Sequence, residues 1–278
     1  MENSSAQLVN DAMTGSTNTN GRALITGASA GLGAEFARQL AARGSSLVLV
    51  ARREERLREL ADRLIEEFGV QADVIVADLA DPVAPQGIAD TCAQNGWSIE
   101  WLINNAGIAG PDLLKDRSWG DQQTFFQLMM LSVADLCHRL LPPMVERGFG
   151  RVINVASVAA RVPRSGGCNY GPAKAYLVAL SEELNLTVAS QGVHVSALCP
   201  GFTHTDFHET AGLMEMKNNM AKWLWYDADV VVRDAIKGVE AGKPVVVSGR
   251  LYRWLDPIFQ SVWTRRFLRF KARPENNN

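Results

Sequence analysis

Short, almost wholly apolar segments alternate with longer amphipathic ones along this chain, and this alternation constrains the fold more than any other feature. Strands that are apolar on both faces are typical of a parallel sheet that is covered by helices on both sides. The apolar segments are residues 23–26, 46–50, 72–79, 101–107, 151–157, 194–200 and 244–248. Helical spacing of apolar side chains is found in residues 31–43, 53–68, 81–95, 118–147, 170–191 and 227–241.

The pattern predicts a single α/β domain over residues 21–250, with a doubly wound, Rossmann-like parallel sheet and a ligand site at the carboxyl ends of its strands. We expect the long helix to be broken or bent near Pro142 and Pro143. Residues 1–20 are polar and rich in Ser, Thr and Asn, which predicts a disordered leader and not a secretory signal. Residues 251–278 form a basic, aromatic C-terminal tail.

Composition excludes several classes of function. A net charge of −2 gives no indication of nucleic-acid binding. The four cysteines are widely spaced and lack a C-x-x-C pair, which favours a reduced, cytoplasmic protein over a disulfide-bonded or zinc protein. His204 and His208 share a helical face, but no third ligand is evident, so we expect no metal site. No apolar run has the length of a transmembrane helix.

A glycine-rich turn, TGASAGLG, joins the first strand to the first helix. Such a turn lets backbone amides at the helix N-terminus approach a pyrophosphate, and so predicts a dinucleotide site. The alternative is an ordinary strand-to-helix turn. The residues that we assign to the cofactor here are Gly27, Ser29, Ala30, Gly31, Leu32 and Gly33.

The end of the second strand predicts which nicotinamide cofactor binds. Ala51 stands where an NAD site usually places a carboxylate, and Arg52 and Arg53 follow it. A guanidinium can bind a ribose 2′-phosphate through paired hydrogen bonds, so this segment favours NADP(H). Alternatively, both arginines pair with nearby surface acids. Asp78, after the third strand, is a candidate partner of the adenine amino group or a cap of the next helix.

Tyr170 and Lys174 are one helical turn apart and therefore project from the same helix face. A phenol is a poor acid or base at neutral pH unless a nearby cation lowers its pKa, which Lys174 can do. Ser157, at the end of a predicted strand, can hold a substrate oxygen by a hydrogen bond. This set predicts proton transfer at a carbonyl or alcohol oxygen beside a nicotinamide. Pro172 is tolerable in the first turn of the helix.

Taken in order, TGASAGLG, NNAG, Ser157, the Tyr170–Lys174 pair and Pro200-Gly201 resemble the short-chain dehydrogenase/reductase superfamily in its single-domain form, over about residues 20–250. The resemblance implies that Ser157, Tyr170 and Lys174 are catalytic, with Tyr170 as general acid/base and Lys174 also on the nicotinamide ribose. It implies that Asn104 helps to hold the strand ends near the cofactor. The further cofactor contacts assigned here are Asn104, Ala106, Gly107, Pro200, Gly201, Thr203 and Thr205.

One position departs from the family pattern. The resemblance implies an Asn in the long helix that holds a water for proton relay to the lysine, and here that position is Met129. A thioether accepts hydrogen bonds weakly and donates none. Ser132, one turn further on, is a candidate to hold the water instead, and we expect an altered relay.

The substrate side is unusually apolar, since residues 206–226 are rich in Met, Leu and Trp. This predicts a lid over a hydrophobic ketone or secondary alcohol, or else a helix that covers the core. The tail after residue 250 fits a peripheral membrane contact, a subunit contact or completion of the core. Family habit implies pairing of the two long helices in a homodimer or homotetramer.

Two other functions remain open. A non-catalytic NADP-binding regulator or scaffold is suggested by Met129 and opposed by Ser157, Tyr170 and Lys174. An isomerase or dehydratase on the same fold is the other, and the compact chain disfavours sugar-nucleotide chemistry.

Overall fold

A computed structural model describes residues 21–162, 168–203 and 225–265. The predicted leader, most of the predicted lid and the last residues of the tail lie outside the described residues. The strands in the described residues are β1 (Gly21–Thr26), β2 (Ser46–Ala51), β3 (Ala72–Val76), β4 (Ser98–Asn104), β5 (Gly150–Val155), β6 (Val193–Cys199), β7 (Phe202–Thr203), β8 (Trp225–Tyr226) and β9 (Val245–Val247). Seven parallel strands form the main sheet in the order β3-β2-β1-β4-β5-β6-β9, and two short parallel strands, β7 and β8, form a second one.

Helices cover both faces of the main sheet. They are α1 (Gly31–Ala41), α2 (Glu54–Phe68), α3 (Ala84–Gln94), α4 (Trp119–Phe126), α5 (Ser132–Glu146), α6 (Tyr170–Val188), α7 (Ala228–Glu240), α8 (Arg250–Gln260) and α9 (Val262–Arg265). Buried side chains of α1, α2 and α7 form one core against the sheet, and those of α3, α4, α5 and α6 form another on the opposite face. The predicted doubly wound, Rossmann-like fold is therefore confirmed.

The strand order reverses between β1 and β4, which are hydrogen-bonded neighbours although two strands separate them along the chain. In a doubly wound sheet the crossovers on the two sides of such a point run in opposite directions. They leave a crevice at the carboxyl ends of the strands, and ligands bind there. The glycine-rich turn and the NNAG segment both follow these strand ends.

The long helix differs from its sequence prediction. It is not broken at Pro142 and Pro143, which lie inside α5. Both prolines are exposed and fall in the last part of the helix, so the hydrogen bonds that they cannot donate are lost on the solvent side. The irregular segment is instead a π-helical turn, Gln127–Leu131, between α4 and α5. Such turns are frequent at functional sites, and this one contains Met129.

The third helix starts later than its apolar spacing predicted. Asp78 and Asp81 each accept a hydrogen bond from a backbone amide two residues on, at 3.0 and 3.1 Å. These side-chain bonds hold the segment in turns until Ala84, because short acidic side chains compete with the helix for backbone amides.

The run Trp119–Glu146 is long and apolar enough, by length and composition alone, to cross a membrane, with a mean hydropathy of 1.2. Half of that window is buried inside the fold. Phe125, Met129 and Val133 belong to the core beneath the sheet, so we interpret this run as a core helix.

Candidate active site

The ends of β1 and β4 are joined by side-chain hydrogen bonds. The Thr26 hydroxyl oxygen accepts from the backbone amides of Asn105 and Ala106, at 2.9 and 3.1 Å. The side-chain amide of Asn105 donates to the carbonyls of Thr26 and Gly27, at 3.0 and 3.2 Å. These bonds fix the glycine-rich turn against the NNAG segment at the point where the strand order reverses.

The glycine-rich turn has the shape that a dinucleotide requires. A side chain at Gly33 would collide with the Gly27 carbonyl, so the first turn of α1 packs directly on the end of β1. Ala30 precedes α1 and makes no side-chain cap, which leaves the first amides of this helix without a side-chain acceptor from that position. Helix N-terminal amides in this state suit a pyrophosphate. The residues present therefore fit a nicotinamide dinucleotide.

The two arginines after β2 have different partners. The Arg53 guanidinium donates to the Ser29 hydroxyl in the glycine-rich turn, with Nη2 at 2.9 Å and Nε at 3.3 Å. Arg52 lies 3.7 Å from a carboxylate oxygen of Asp78, in an exposed ion pair. Glu54 pairs with Arg58 in the next helical turn. Arg53 is thus held over the predicted cofactor turn, where a guanidinium can meet a ribose phosphate.

Asn104 lies in the interior and not in the cofactor turn. It is 3% exposed, and its amide nitrogen donates to the Asn154 side-chain oxygen at 2.8 Å. Asn154 in turn donates to the Ser181 hydroxyl at 2.9 Å, which ties β4, β5 and α6 together. This bond agrees with the strand-end role that the resemblance implied for Asn104, and its predicted contact with the cofactor stays a prediction. Asn105, which supports the glycine-rich turn, was missed in the sequence, although it is the first residue past β4.

Ser157 and the N-terminus of α6, which begins at Tyr170, both lie at the carboxyl end of β5. Ser157 begins a short 3₁₀ turn, Val158–Ala160, and its hydroxyl oxygen accepts from the Ala159 amide at 3.1 Å. That bond uses an oxygen lone pair and leaves the hydroxyl proton for a substrate oxygen. The N-terminus of α6 packs on this turn, since an added Cβ at Gly171 would lie 3.1 Å from the Ala159 carbonyl oxygen. Pro172 lies in the first turn of α6, as predicted.

Lys174 lies beneath Tyr170 in the interior. Its side-chain nitrogen donates to the Val155 carbonyl at 2.6 Å and lies 5.7 Å from the centre of the Tyr170 ring. The residue is only 4% exposed, and burial lowers the pKa of its ammonium to about 8. The nearby Cys199 thiol does not neutralise this charge, because burial raises its pKa to about 12. The structure therefore places a cation beside the phenol, where proton exchange by Tyr170 would need it.

Met129 contacts the same region from the opposite helix. Its sulfur accepts from the Ile108 amide at 3.3 Å. A Cβ added at Gly107 would lie 3.3 Å from that sulfur and 3.7 Å from the Lys174 nitrogen, so these three residues surround one point. Ser132, the first residue of α5, is 1% exposed and donates to the Leu128 carbonyl in the preceding π-helical turn at 2.8 Å.

The segment after β6 completes the described site. The Pro200 carbonyl accepts from the Val158 amide at 3.0 Å, which joins it to the turn that begins at Ser157. Thr203 is 4% exposed, and its hydroxyl donates to the Gly201 carbonyl at 3.2 Å. The predicted contacts of Pro200, Gly201 and Thr203 with the cofactor stay predictions. Thr205, and with it His204 and His208, lies outside the described residues.

Comparison with known proteins identifies the family. The family profile described as short chain dehydrogenase matches residues 21–215. Sulfoacetaldehyde reductase 2 of Chromohalobacter salexigens is 35% identical over 186 residues, which cover 66% of this chain and 73% of that protein. The chain belongs to the short chain dehydrogenase family. This family consists of oxidoreductases that act on alcohols and carbonyl compounds with a nicotinamide cofactor.

Two solved structures are similar to this short chain dehydrogenase over most of its length. A short-chain dehydrogenase from Sphingobium yanoikuyae, in complex with NADPH, has a TM-score of 0.76 and 32% identity, and covers 84% of this chain and 90% of its own. A bulky-bulky ketone specific alcohol dehydrogenase from Comamonas testosteroni has a TM-score of 0.72 and 28% identity, with coverage of 92% and 96%.

Proposed function

We propose that this short chain dehydrogenase transfers a hydride between NADP(H) and a hydrophobic ketone or the corresponding secondary alcohol, with Tyr170 as the general acid/base. The observation that carries the proposal is the buried Lys174 ammonium, 5.7 Å from the centre of the Tyr170 ring at the strand end that bears Ser157. A cation in that place stabilises the phenolate form and so brings the phenol into the range where it exchanges protons.

Each catalytic side chain has a distinct task. When bound, the nicotinamide supplies the hydride for reduction or accepts it in oxidation. Tyr170 donates its phenolic proton to the carbonyl oxygen as negative charge develops there, and takes a proton back in the reverse direction. Ser157 donates its hydroxyl proton to the same oxygen and fixes its position. Lys174, held by the Val155 carbonyl, provides the positive field.

The preference for NADP(H) is supported by Arg53 and Ser29. Their hydrogen bonds hold a guanidinium beside the cofactor turn, and Ala51 at the end of β2 offers no carboxylate to repel a phosphate. The similar protein from Sphingobium yanoikuyae binds NADPH.

A hydrophobic substrate is supported by the surface near the site. Leu113 and Leu114 are 47% and 74% exposed on the segment that leaves the carboxyl end of β4. Trp225, from the end of the predicted lid, is buried, and its ring centre lies 5.3 Å from that of Phe202. The similar alcohol dehydrogenase from Comamonas testosteroni is specific for bulky ketones.

The deciding experiment follows NADPH and NADH in parallel over a panel of aliphatic, aromatic and bulky ketones. Tyr170→Phe is expected to lower kcat by about 100-fold or more, because it removes the proton donor. Tyr176→Phe is the matched control on the same helix and is expected to retain turnover. Equal rates for wild type and Tyr170→Phe would reject the proposed proton donor. NADPH binding without turnover on any ketone would favour the non-catalytic regulator.

We further propose that two copies pair through α5 and α6. An apolar groove with a volume of about 410 Å³ lies between these helices in the described part of the chain. The residues that line it include Leu141, Val145, Leu180, Leu184 and Val188. Burying it would remove apolar surface from water. Light scattering of wild type and Leu184→Asp tests this: a dimer or tetramer should become monomeric in the variant, and an unchanged mass would reject the interface.

A peripheral membrane contact is supported by the outer face of α8 and α9. Trp254 and Trp263 are 75% and 78% exposed there, near Arg250 and Arg253. Aromatic and basic residues together suit an anionic membrane surface. Trp254→Ala with Trp263→Ala should reduce flotation with anionic liposomes, and unchanged flotation would exclude this face. We also propose a cytoplasmic location, and the four free cysteine thiols support it.

A further inference from the structure

Helix α8 is joined to the catalytic end of β5 by a largely buried ion pair. The Arg161 guanidinium donates to both carboxylate oxygens of Asp256, Nε to Oδ1 at 2.7 Å and Nη2 to Oδ2 at 2.5 Å. The two side chains are 16% and 19% exposed. Gln260, one helical turn further on, donates to the Arg161 carbonyl at 2.9 Å. Thus α8 holds both the side chain and the backbone of Arg161.

Arg161 belongs to the turn that Ser157 begins. Its amide donates to the Val158 carbonyl at 3.0 Å, and the Ala160 amide donates to the Ser157 carbonyl at 3.0 Å. Because these bonds make the turn one rigid unit, a displacement of Arg161 would move the Ser157 hydroxyl. The bidentate geometry is suited to fixing orientation, since it constrains the guanidinium plane as well as its distance from the carboxylate.

A second bond of α8 reaches the segment after β6. The Tyr252 ring covers Gly201, where any side chain would collide with it. Tyr252 also forms a hydrogen bond with the Phe202 backbone. The Val158 amide donates to the Pro200 carbonyl, so the turn that Ser157 begins is joined to the segment after β6. Helix α8 contacts both of them, through Arg161 and through Gly201.

We propose that Asp256 is a positioning residue: through Arg161 it fixes the Ser157 turn at the distance from Tyr170 that hydride transfer requires. Helix α8 is then part of the catalytic site and not an appended tail. This inference rests on the proposed function. The choice of charged residues supports it, because a buried ion pair contributes little net stability compared with apolar residues but holds one defined geometry.

The test is a double-mutant cycle between Asp256 and Ser157 in the full-length enzyme with NADPH and a ketone from the panel. Asp256→Asn is expected to lower kcat by about 10- to 100-fold, the size of effect that a small misplacement of a catalytic group produces. In the Ser157→Ala background the same change is expected to lower kcat less than about twofold, because its effect acts through Ser157.

A purely structural role predicts a different result. Asp256→Asn would then lower stability, and it would lower kcat by the same factor in the wild-type and Ser157→Ala backgrounds. Either this outcome or an unchanged kcat in the wild-type background overturns the proposal. Glu240→Gln breaks the exposed Arg43–Glu240 pair and is the control, with an expected change in kcat below about twofold. Exchange of the charges in Arg161→Asp with Asp256→Arg should restore part of the activity.

Two further measurements distinguish failure of this proposal from misfolding of the variant and from failure of the proposed function. If Asp256→Asn does not fold, Gln260→Ala replaces it in the test, because it removes only the bond to the Arg161 carbonyl. Gln260→Ala is expected to lower kcat about threefold in the wild-type background and to leave kcat unchanged in the Ser157→Ala background. No effect there would also overturn the proposal. Full activity of Tyr170→Phe would instead reject the proposed function itself.

Discussion

Lys174 donates a 2.6 Å hydrogen bond to the backbone carbonyl of Val155, two residues before Ser157 on the chain. An ammonium that is only 4% exposed is unfavourable in the interior, and burial accordingly lowers its pKa to about 8 from an ordinary value of 10.5. The fold tolerates this cost at the place where the proposed reaction needs a positive charge.

The first prediction concerns stability. Lys174→Met should abolish reduction and yet raise the free energy of unfolding at pH 7 by about 1 to 3 kcal/mol. Removal of the buried charge stabilises the fold, and loss of the hydrogen bond to Val155 offsets only part of that gain. Below pH 8 the lysine is protonated in both the folded and the unfolded state, so the full cost applies. Between about pH 8 and 10.5 the folded state loses the proton first, and wild-type stability rises toward that of the variant.

Urea unfolding of both proteins at pH 7 and pH 10 measures this difference. A stability difference that is the same at both pH values would show that the Lys174 pKa is not depressed by folding.

The second prediction concerns the cofactor. Arg53→Glu should raise the KM for NADPH by about 10- to 100-fold, because it replaces a charge-assisted hydrogen bond with repulsion of the phosphate. The KM for NADH should change little. Arg58→Gln alters an exposed ion pair in the first turns of α2, the helix that follows Arg53, and should leave both KM values unchanged. Equal effects of Arg53→Glu on the two cofactors would contradict the assigned phosphate contact.

The third prediction concerns the proton relay. Met129 lies beside Lys174 in the π-helical turn, where a thioether cannot donate to a water. Met129→Asn should increase kcat and alter its pH profile, whereas Met129→Leu, which keeps the volume, should not. If Met129→Asn leaves both the turnover and its pH dependence as in wild type, the altered relay is excluded.

The fourth prediction concerns Asn105. Asn105→Ala removes the two bonds to the Thr26 and Gly27 carbonyls and should reduce the free energy of unfolding by about 1 to 3 kcal/mol. It should also raise the Kd for NADPH, because the glycine-rich turn loses its support. Asn95→Ala, at an exposed helix end, should change stability by less than about 0.5 kcal/mol. Calorimetry and cofactor titration would measure both effects, and a Kd equal to wild type would reject the supporting role.

Much of the fold and part of the site could be predicted from local patterns. Apolar segments identified the main-sheet strands, and the Tyr170–Lys174 spacing identified the helix face that bears the proposed proton donor. Prediction was wrong for the break at Pro142 and Pro143, because the helix tolerates exposed prolines near its end. It assigned a strand-end role to Asn104, which the bond to Asn154 supports, but it missed Asn105, because neighbouring side chains at a strand end point in different directions and only the fold shows which one reaches the glycine-rich turn.

The chain's order of apolar and amphipathic segments determined the parallel sheet, because only burial on both faces accommodates such strands. It also determined which strand ends carry Ser157 and the glycine-rich turn, and placed Tyr170 at the start of a helix. Only the tertiary structure decided the depressed pKa of Lys174 and the pairing of Arg161 with Asp256, which lie 95 positions apart. The energy of a charge depends on its burial and on its partners in space, and no local pattern in the sequence specifies either.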